Sequence, residues 1–257
     1  MRDNSTWFLR EPPRSQATLR LFCFPYAGGA AAIYRHWGAQ LSPQVDVVRV
    51  ELPGRGKRLD EPPFRNLPAL IKELARVIAP LLDINFAFFG HSMGAIIAFE
   101  LARELRRKNM PQPRQLLVSG RQAPQLGSRH RILYNLPDEE LRAELSRLNG
   151  IPSEVFGHPE LMNLLLPLLR ADFELIQTYA YMAEPPLTCG IAAYGGLEDN
   201  KVPRELLLPW GQQTDGEFSL QMLPGDHFFL RSASRLLLES LGRELDRPAL
   251  ATNQSAL

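Results

Sequence analysis

Cysteine is scarce in this sequence: Cys23 and Cys189 are the two among 257 residues. Two cysteines alone exclude a framework of several disulfides and a structural zinc site built from thiolates. Each lies in an apolar run, so we expect both to be buried free thiols that pack in the core.

An excess of charge of one sign is also missing. The chain has 29 basic and 28 acidic residues and a net charge of +1. Such a balance produces no global field that would favour nucleic acid or an anionic membrane as a partner. No short strict repeat is present, which excludes a collagen or coiled-coil rod. Hydrophobic residues make up 45% of the chain, which is too many for a disordered one.

Long apolar runs are absent as well. Residues 1–5, Met-Arg-Asp-Asn-Ser, do not begin the apolar stretch of about 7–15 residues that a signal peptide carries. No uninterrupted apolar segment approaches the roughly 18 residues of a membrane span. We therefore expect a cytoplasmic protein that does not enter the membrane and does not bind nucleic acid.

Short apolar runs closed by turn residues alternate with segments of helical periodicity. The predicted strands are residues 19–24, 45–52, 86–89, 115–119, 191–194 and 218–223. The predicted helices of this part are residues 67–82, 93–108 and 234–245. Strands that alternate with helices predict an α/β fold, with a mostly parallel sheet covered by helices on both faces.

The alternation stops between residues 122 and 184. This stretch offers helical pieces at 138–148 and 161–182 with no strand between them. A helical insertion of about sixty residues in an α/β chain is either a second domain or a lid. We expect residues 1–121 and 185–246 to form the core, with residues 122–184 inserted. The tail, residues 247–257, is polar and small, and we expect it to be loose.

The strongest chemical signal is the five-residue motif Gly-His-Ser-Met-Gly centred on Ser92. It lies between a predicted strand and a predicted helix, as a nucleophile elbow does. A strained turn there projects the serine hydroxyl above the sheet, and Gly90 and Gly94 remove Cβ atoms where strand and helix cross. The helix N-terminus also presents free N–H groups to developing negative charge. The motif alone occurs by chance, so a plain structural turn is the alternative.

A nucleophilic serine needs a base, for which histidine is the usual residue. Three of the five histidines lie in helical or lid-like segments without a nearby strand end: His36, His130 and His158. His91 is inside the elbow, and its side chain is expected to point away from Ser92 and to pack or bond against the adjacent loop. His227 follows the last predicted strand directly and is the predicted base.

The acid that orients this base should lie between the serine and the histidine in the chain. The turn after the penultimate predicted strand contains Glu198 and Asp199. Asp199 is predicted to be the acid, because the preceding glycines return it to the strand end. Asp226 is adjacent to His227 and cannot easily reach the same imidazole, and Asp172 belongs to the helical insertion.

An oxyanion hole needs two N–H donors, one of them from the residue after the nucleophile, Met93. The loop after the first predicted strand, residues 25–29, is rich in small residues and can supply the other. Ala27 is the predicted donor, with Gly28 as the neighbouring possibility and a plain glycine-rich turn as the alternative. The spacing of a dinucleotide-binding fingerprint is absent, so NAD is not expected.

Five segments together resemble the type II thioesterases, stand-alone α/β-hydrolases that accompany polyketide synthases and nonribosomal peptide synthetases. The segments are residues 22–29, 51–56, 90–94, 195–199 and 225–229. The resemblance runs from about Trp7 to Leu245, and vertebrate medium-chain fatty-acid thioesterases are similar to the same segments.

This resemblance implies an α/β-hydrolase fold in which residues 122–184 form a lid. It implies catalytic roles for Ser92, Asp199 and His227, oxyanion donors at Ala27 and Met93, and no metal or organic cofactor. The implied substrates are acyl groups, aberrant or stalled, on the phosphopantetheine arm of acyl or peptidyl carrier domains. A monomer is expected. The alternatives are a medium-chain fatty-acyl thioesterase, a general carboxylesterase, or a non-catalytic carrier-binding protein on the same fold.

Two further features carry expectations. Apolar residues recur at helical spacing in the insertion: Leu164, Leu165, Leu168, Leu169, Phe173 and Ile176. We expect this stripe to close over Ser92 and line an acyl pocket; alternatively, it docks the insertion on the core. The short basic loop with Arg55, Lys57 and Arg58 is expected to be a solvated surface, and attraction of an acidic carrier is the alternative.

Overall fold

A seven-stranded sheet organises the protein. The structure is a computed structural model that describes residues 6–11, 14–127, 131–147 and 158–247. The strands are β1 (Phe8–Leu9), β2 (Leu19–Phe24), β3 (Val45–Val50), β4 (Asn85–His91), β5 (Gln115–Ser119), β6 (Gly190–Gly196) and β7 (Phe218–Leu223). Their order in the sheet is β1-β3-β2-β4-β5-β6-β7, and all are parallel except β1.

Helices connect these strands. In the described residues they are α1 (Trp37–Gln40), α2 (Leu67–Ile78), α3 (Met93–Arg107), α4 (Asp138–Arg147), α5 (Pro159–Gln177), α6 (Arg204–Leu207), α7 (Phe229–Ser232) and α8 (Ser234–Asp246). The start of α2 shows how the sequence sets a boundary. Asn66 accepts the Ala69 N–H at 3.0 Å through Oδ1, and Pro68 follows in the first turn.

The central strands are buried on both faces. In β4, Phe86 and Phe88 pack into a cluster with residues of α2, α3 and α5, whereas Ala87 and Phe89 pack on the opposite face with residues of α1 and α8. Successive side chains of a strand point to opposite faces, and such two-sided burial is typical of a parallel sheet between helical layers. The prediction of a mostly parallel sheet with helices on both faces is confirmed.

The insertion is helical where it is described. Helices α4 and α5 lie between β5 and β6, and the described residues there contain no strand. Helix α5 ends at Gln177, five residues before the predicted end at Met182. His130, Leu148 and residues 248–257 of the predicted tail lie outside the described residues. The division into a core and a lid at residues 122–184 stays a prediction.

Two elements differ from the expectation. The sequence analysis did not predict β1, which has two residues and pairs antiparallel with β3, Phe8 opposite Val50. A two-residue strand is too short to show alternation. Strand β6 is longer than predicted because Gly195 and Gly196 continue its pairing with β7. No helix in the described ranges is both long and apolar enough to cross a membrane.

Parallel strands bring their carboxyl ends to one edge of the sheet. Phe24 at the end of β2 pairs with Gly90 in β4, and His91 pairs with Ser119 at the end of β5. The loops that follow β2, β4, β5, β6 and β7 therefore meet at this edge, where ligands bind in open α/β sheets.

Candidate active site

Ser92 occupies a strained turn between β4 and α3. Its φ is 53° and its ψ is −108°, a region that non-glycine residues rarely adopt. The turn is held by backbone bonds, because the Ser92 N–H donates to Ser119 O at 2.8 Å and the Ala95 N–H donates to Ser92 O at 3.1 Å. These bonds hold the backbone of Ser92 at the end of β4.

The glycines that flank this turn are required by close backbone approach. A Cβ on Gly90 would lie 2.0 Å from Gly94 O, and a Cβ on Gly94 would lie 2.1 Å from Phe24 O. Both distances are shorter than any van der Waals contact. The second distance also shows how closely α3 approaches the loop after β2.

His227 and Asp199 form a hydrogen-bonded pair. His227 Nδ1 lies 2.6 Å from Asp199 Oδ2, and the side chains are 19% and 1% exposed. The other oxygen, Asp199 Oδ1, accepts the N–H groups of Lys201 and Val202 at 3.0 and 3.2 Å. Glu198 is exposed. The structure therefore places Asp199 at the imidazole and Glu198 in solvent.

Several effects set the pKa of Asp199. Burial by itself raises it, but the hydrogen bond to His227, the charge of that imidazole and the two backbone N–H donors outweigh burial. The pKa of Asp199 therefore lies below its ordinary value. The carboxylate is ionised at neutral pH and holds the proton of the imidazole on Nδ1.

The His91 ring packs against the ring of His227. Its side chain is fully buried, its Nδ1 is 2.9 Å from Ser119 Oγ, and its ring centroid is 5.2 Å from that of His227. Burial lowers the pKa of His91 well below its ordinary value, and the neighbouring His227 lowers it further. The bond goes to the last residue of β5, and the His91 ring also packs against Phe228 of the adjacent loop after β7, with ring centroids 6.1 Å apart. It packs as a neutral ring that supports His227.

The loop after β2 approaches the elbow with its backbone. The Gly28 N–H donates to Asp172 Oδ2 at 2.7 Å, and the Gly29 N–H donates to Tyr26 O at 2.9 Å. In the described part of the chain, no acceptor takes the Ala27 N–H. Met93 is the first residue of α3, where an N–H has no acceptor within the helix. Of the two predicted loop donors, Ala27 thus has its N–H available and Gly28 does not.

A cavity of about 310 Å³ lies at this edge of the sheet. Ser92 and His227 border it, and the insertion contributes Leu133, Phe173 and Ile176 to its wall. Leu168 and Leu169 of the same apolar stripe instead pack against glycine loops, and Leu164 is 55% exposed. Some residues of the stripe therefore line the cavity, others pack the insertion against the core, and one is exposed to solvent.

The sequence analysis missed Arg121 and Lys201, two of the three cationic residues on this wall, which also includes Arg131. Burial lowers the pKa of Arg121 to about 10, which still leaves it charged at neutral pH. Burial also lowers the pKa of Lys201, against the charges of Asp199 and Glu144, which raise it. Arg121 follows the carboxyl end of β5 and Lys201 follows that of β6, and these positions are the signal that could have identified them.

The expectation of a solvated basic loop is wrong for its two arginines. Arg55 and Arg58 are 4% and 5% exposed. Arg58 pairs with Glu61 at 2.6 Å and stacks 3.8 Å from the Trp7 ring centroid, and Lys57 alone is exposed. Short-range sequence patterns do not show contacts with residues that are distant in the chain, such as that of Arg58 with Trp7.

The described residues contain no group of three or more His, Cys, Asp or Glu side chains that could hold a metal ion.

The chain is similar to known thioesterases. A model of the thioesterase domain matches residues 19–245. The chain is 44% identical over 239 residues to the gramicidin S biosynthesis protein GrsT of Aneurinibacillus migulanus, with 93% of each protein covered.

Solved structures are similar over most of their length. The RedJ thioesterase from the prodiginine biosynthetic pathway in Streptomyces coelicolor is 39% identical, with a TM-score of 0.84; the match covers 91% of this chain and 88% of that one. The type II thioesterase BorB from the borrelidin biosynthetic cluster is 36% identical, with a TM-score of 0.85. This match covers 93% of this chain and 98% of BorB. The predicted α/β-hydrolase fold is confirmed.

Proposed function

The chain belongs to the thioesterase family, and from this premise we propose that it hydrolyses acyl thioesters on the phosphopantetheine arm of acyl or peptidyl carrier domains. Its role is to remove aberrant or stalled acyl groups during polyketide or nonribosomal peptide biosynthesis. The observation that carries the proposal is the meeting, at one cavity, of a serine with positive φ and a histidine bonded to a buried carboxylate.

The chemistry starts at the free side of the imidazole. With the Nδ1 proton held by Asp199, His227 Nε2 accepts the proton of Ser92, and Ser92 Oγ attacks the thioester carbonyl carbon. The N–H groups of Ala27 and Met93 bind the oxyanion, and loss of one such donor costs about 100- to 1000-fold in kcat. The buried Asp199 carboxylate stabilises the imidazolium formed in this step.

Collapse of the tetrahedral adduct breaks the carbon–sulfur bond and leaves the acyl group on Ser92. The thiol takes its proton from His227, although with a thiol pKa of about 8.5 its departure depends little on that proton. His227 then accepts a proton from water, which attacks the acyl-enzyme. The carboxylic acid leaves and Ser92 regains its proton.

The lid interpretation of residues 122–184 belongs to the same proposal. Phe173, Ile176 and Leu133 supply apolar surface on the cavity that Ser92 borders. An acyl chain bound there is removed from bulk water, which strengthens the electrostatic interactions at the oxyanion. We also propose a cytoplasmic monomer. One chain supplies Ser92, Asp199 and His227, and the free buried thiols of Cys23 and Cys189 suit a reducing compartment.

A substrate panel tests the proposal. Purified protein is assayed with acyl-carrier proteins, the matching acyl-CoA esters and nitrophenyl esters of the same chain length. We expect kcat/KM to be highest for the acyl-carrier thioesters. A preference for medium-chain acyl-CoA would favour a fatty-acyl thioesterase, and a preference for oxygen esters would favour a carboxylesterase. A biological effect that survives in Ser92→Ala would indicate a carrier-binding protein.

A further inference from the structure

A buried ion pair joins the helical insertion to the core beside the candidate oxyanion loop. Arg55 Nη2 lies 2.7 Å from Asp172 Oδ1, and Arg55 Nη1 lies 3.0 Å from Asp172 Oδ2. The side chains of the two residues are 4% and 2% exposed. Asp172 belongs to α5, and Arg55 follows β3. Two parallel hydrogen bonds of this kind fix the relative orientation of their groups.

The same pair holds the loop of residues 26–29 from two sides. Asp172 Oδ2 accepts the Gly28 N–H at 2.7 Å, and Arg55 Nη1 donates to Gly29 O at 3.0 Å. One turn before Asp172, Leu169 packs so closely that a Cβ on Gly28 would lie 2.6 Å from its Cδ2. Gly28 has a φ of 75°, so glycine alone fits there without strain.

This arrangement has a direct consequence for Ala27. Because the peptide groups of Gly28 and Gly29 are anchored, the preceding peptide group that carries the Ala27 N–H has little freedom to rotate. An oxyanion donor must lie within about 2.7–3.1 Å of the developing charge. A carboxylate near that charge would by itself oppose it, and the Arg55 guanidinium neutralises Asp172.

We propose that Asp172 and Arg55 are positioning residues for the oxyanion hole: the carboxylate on α5, held by the guanidinium, fixes the 26–29 loop so that the Ala27 N–H faces the reacting carbonyl. This inference rests on the proposed function. If Asp172 and Arg55 have this role, the oxyanion is fully stabilised only when α5 is docked against the 26–29 loop.

The test replaces the pair without leaving a buried charge. Arg55→Met with Asp172→Leu substitutes apolar groups of similar volume, a change that proteins often tolerate. Arg55→Met with Asp172→Asn restores an oxygen acceptor for the Gly28 N–H. The matched control is Arg65→Gln with Glu174→Gln, because Arg65 Nη1 and Glu174 Oε2 also join a core loop to α5, at 2.6 Å, but with side chains 57% and 29% exposed.

Kinetics are measured with hexanoyl-CoA. For Arg55→Met/Asp172→Leu we expect kcat to fall by about 10- to 100-fold, the effect of a misplaced catalytic group, with KM nearly unchanged. Arg55→Met/Asp172→Asn should recover about fivefold or more of the loss. The control pair should stay within about twofold of wild type. The Ki of a hexyl trifluoromethyl ketone should rise in parallel with the loss in kcat/KM, because its adduct places an oxyanion in the same hole.

Three results would overturn the proposal: wild-type kcat in folded Arg55→Met/Asp172→Leu, a loss confined to KM, or a lowered kcat with unchanged ketone affinity. Should that variant not fold, Arg55→Lys keeps the charge but loses one of the two parallel hydrogen bonds. It should lower kcat by a smaller factor, and wild-type kcat in it would equally overturn the proposal. Wild-type protein that hydrolyses no thioester would instead refute the proposed function, so the two failures are distinguishable.

Discussion

At the scale of single residues, the turn after β6 shows how local geometry separates two like groups. Glu198 and Asp199 are adjacent, yet the first is exposed and the second is buried against His227. The Asp199 N–H donates back to Gly196 O at 3.2 Å. A Cβ on Gly196 would lie 2.4 Å from Asp226 O, so the turn also approaches the histidine loop closely.

Substitution of each carboxylate tests this difference. Asp199→Asn should lower kcat by about 10⁴, as the equivalent change does in serine proteases, because the amide favours the wrong imidazole tautomer. Glu198→Gln should change kcat by less than about twofold, since an exposed side chain with no assigned role contributes little. Steady-state hydrolysis of an acyl-CoA measures both. The opposite ranking would show that Glu198 orients the base.

His91 should make the protein less stable in acid. In the unfolded chain this residue takes up a proton below about pH 6.5, whereas in the folded protein burial lowers the pKa of His91 well below that value. The unfolded state therefore binds more protons in this range, and acid favours it. We expect the free energy of unfolding to fall by about 1.4 kcal/mol per pH unit from this group as pH drops below about 6.5. Above that pH the contribution is constant.

Urea denaturation between about pH 5 and pH 8 measures this dependence. His91→Asn can keep a hydrogen bond to Ser119 but has no titrating ring, so its stability should depend less steeply on pH than that of wild type. The difference in pH dependence between wild type and His91→Asn gives the contribution of His91 separately from that of His227. Identical slopes would mean that the folded protein protonates His91 as readily as the unfolded chain does.

At the scale of elements, α5 performs two tasks that its sequence alone does not separate. Leu168, Leu169 and Asp172 contact core loops, whereas Phe173 and Ile176 reach the cavity. Helical periodicity identifies a buried face, but not which neighbours cover each part of it. Asp172 is a charged residue on the apolar face of this helix, which indicates that it has a buried partner. That partner is Arg55, 117 positions away in the chain.

Ile176→Phe tests the contribution of α5 to the acyl pocket. The added bulk enters the cavity that Ser92 borders. We expect kcat/KM for octanoyl-CoA to fall by about tenfold or more, while turnover of p-nitrophenyl acetate stays nearly intact because its acyl group is short. Leu164→Phe, at the exposed position of the same helix, is the control and should alter neither. Equal losses on both substrates with a lower melting temperature would show that Ile176 is a packing residue.

The elements themselves differ in how far the sequence predicts them. Strands β2, β5 and β7 have the predicted bounds, because each is an apolar run closed by turn residues. Strand β1 exists through its pairing with β3 and has no pattern of its own. Arg55 and Arg58 form a basic cluster in the sequence, but Asp172 and the Trp7 ring, both distant in the chain, pack against them.

At the scale of the whole molecule, the parallel sheet gathers groups that are far apart in the chain. Ser92, Asp199 and His227 follow β4, β6 and β7, and the proposed oxyanion loop, residues 26–29, follows β2. A parallel sheet places these ends together whatever the length of the connections, so strand-end position, together with the motif around Ser92 and the chain order of serine, acid and histidine, nominated the three residues. The contacts of Arg55 and Asp172 with residues 26–29 depend on tertiary packing and required the structure.

The central claim is that Ser92 is the nucleophile of an acyl-enzyme mechanism, and active-site labelling tests it most directly. The protein is treated with a fluorophosphonate, digested, and the modified residue is identified by mass spectrometry. We predict a single adduct on Ser92, and no adduct and at least about 10⁴-fold lower kcat for Ser92→Ala. An adduct on a different serine, or full thioesterase activity in Ser92→Ala, would contradict the account.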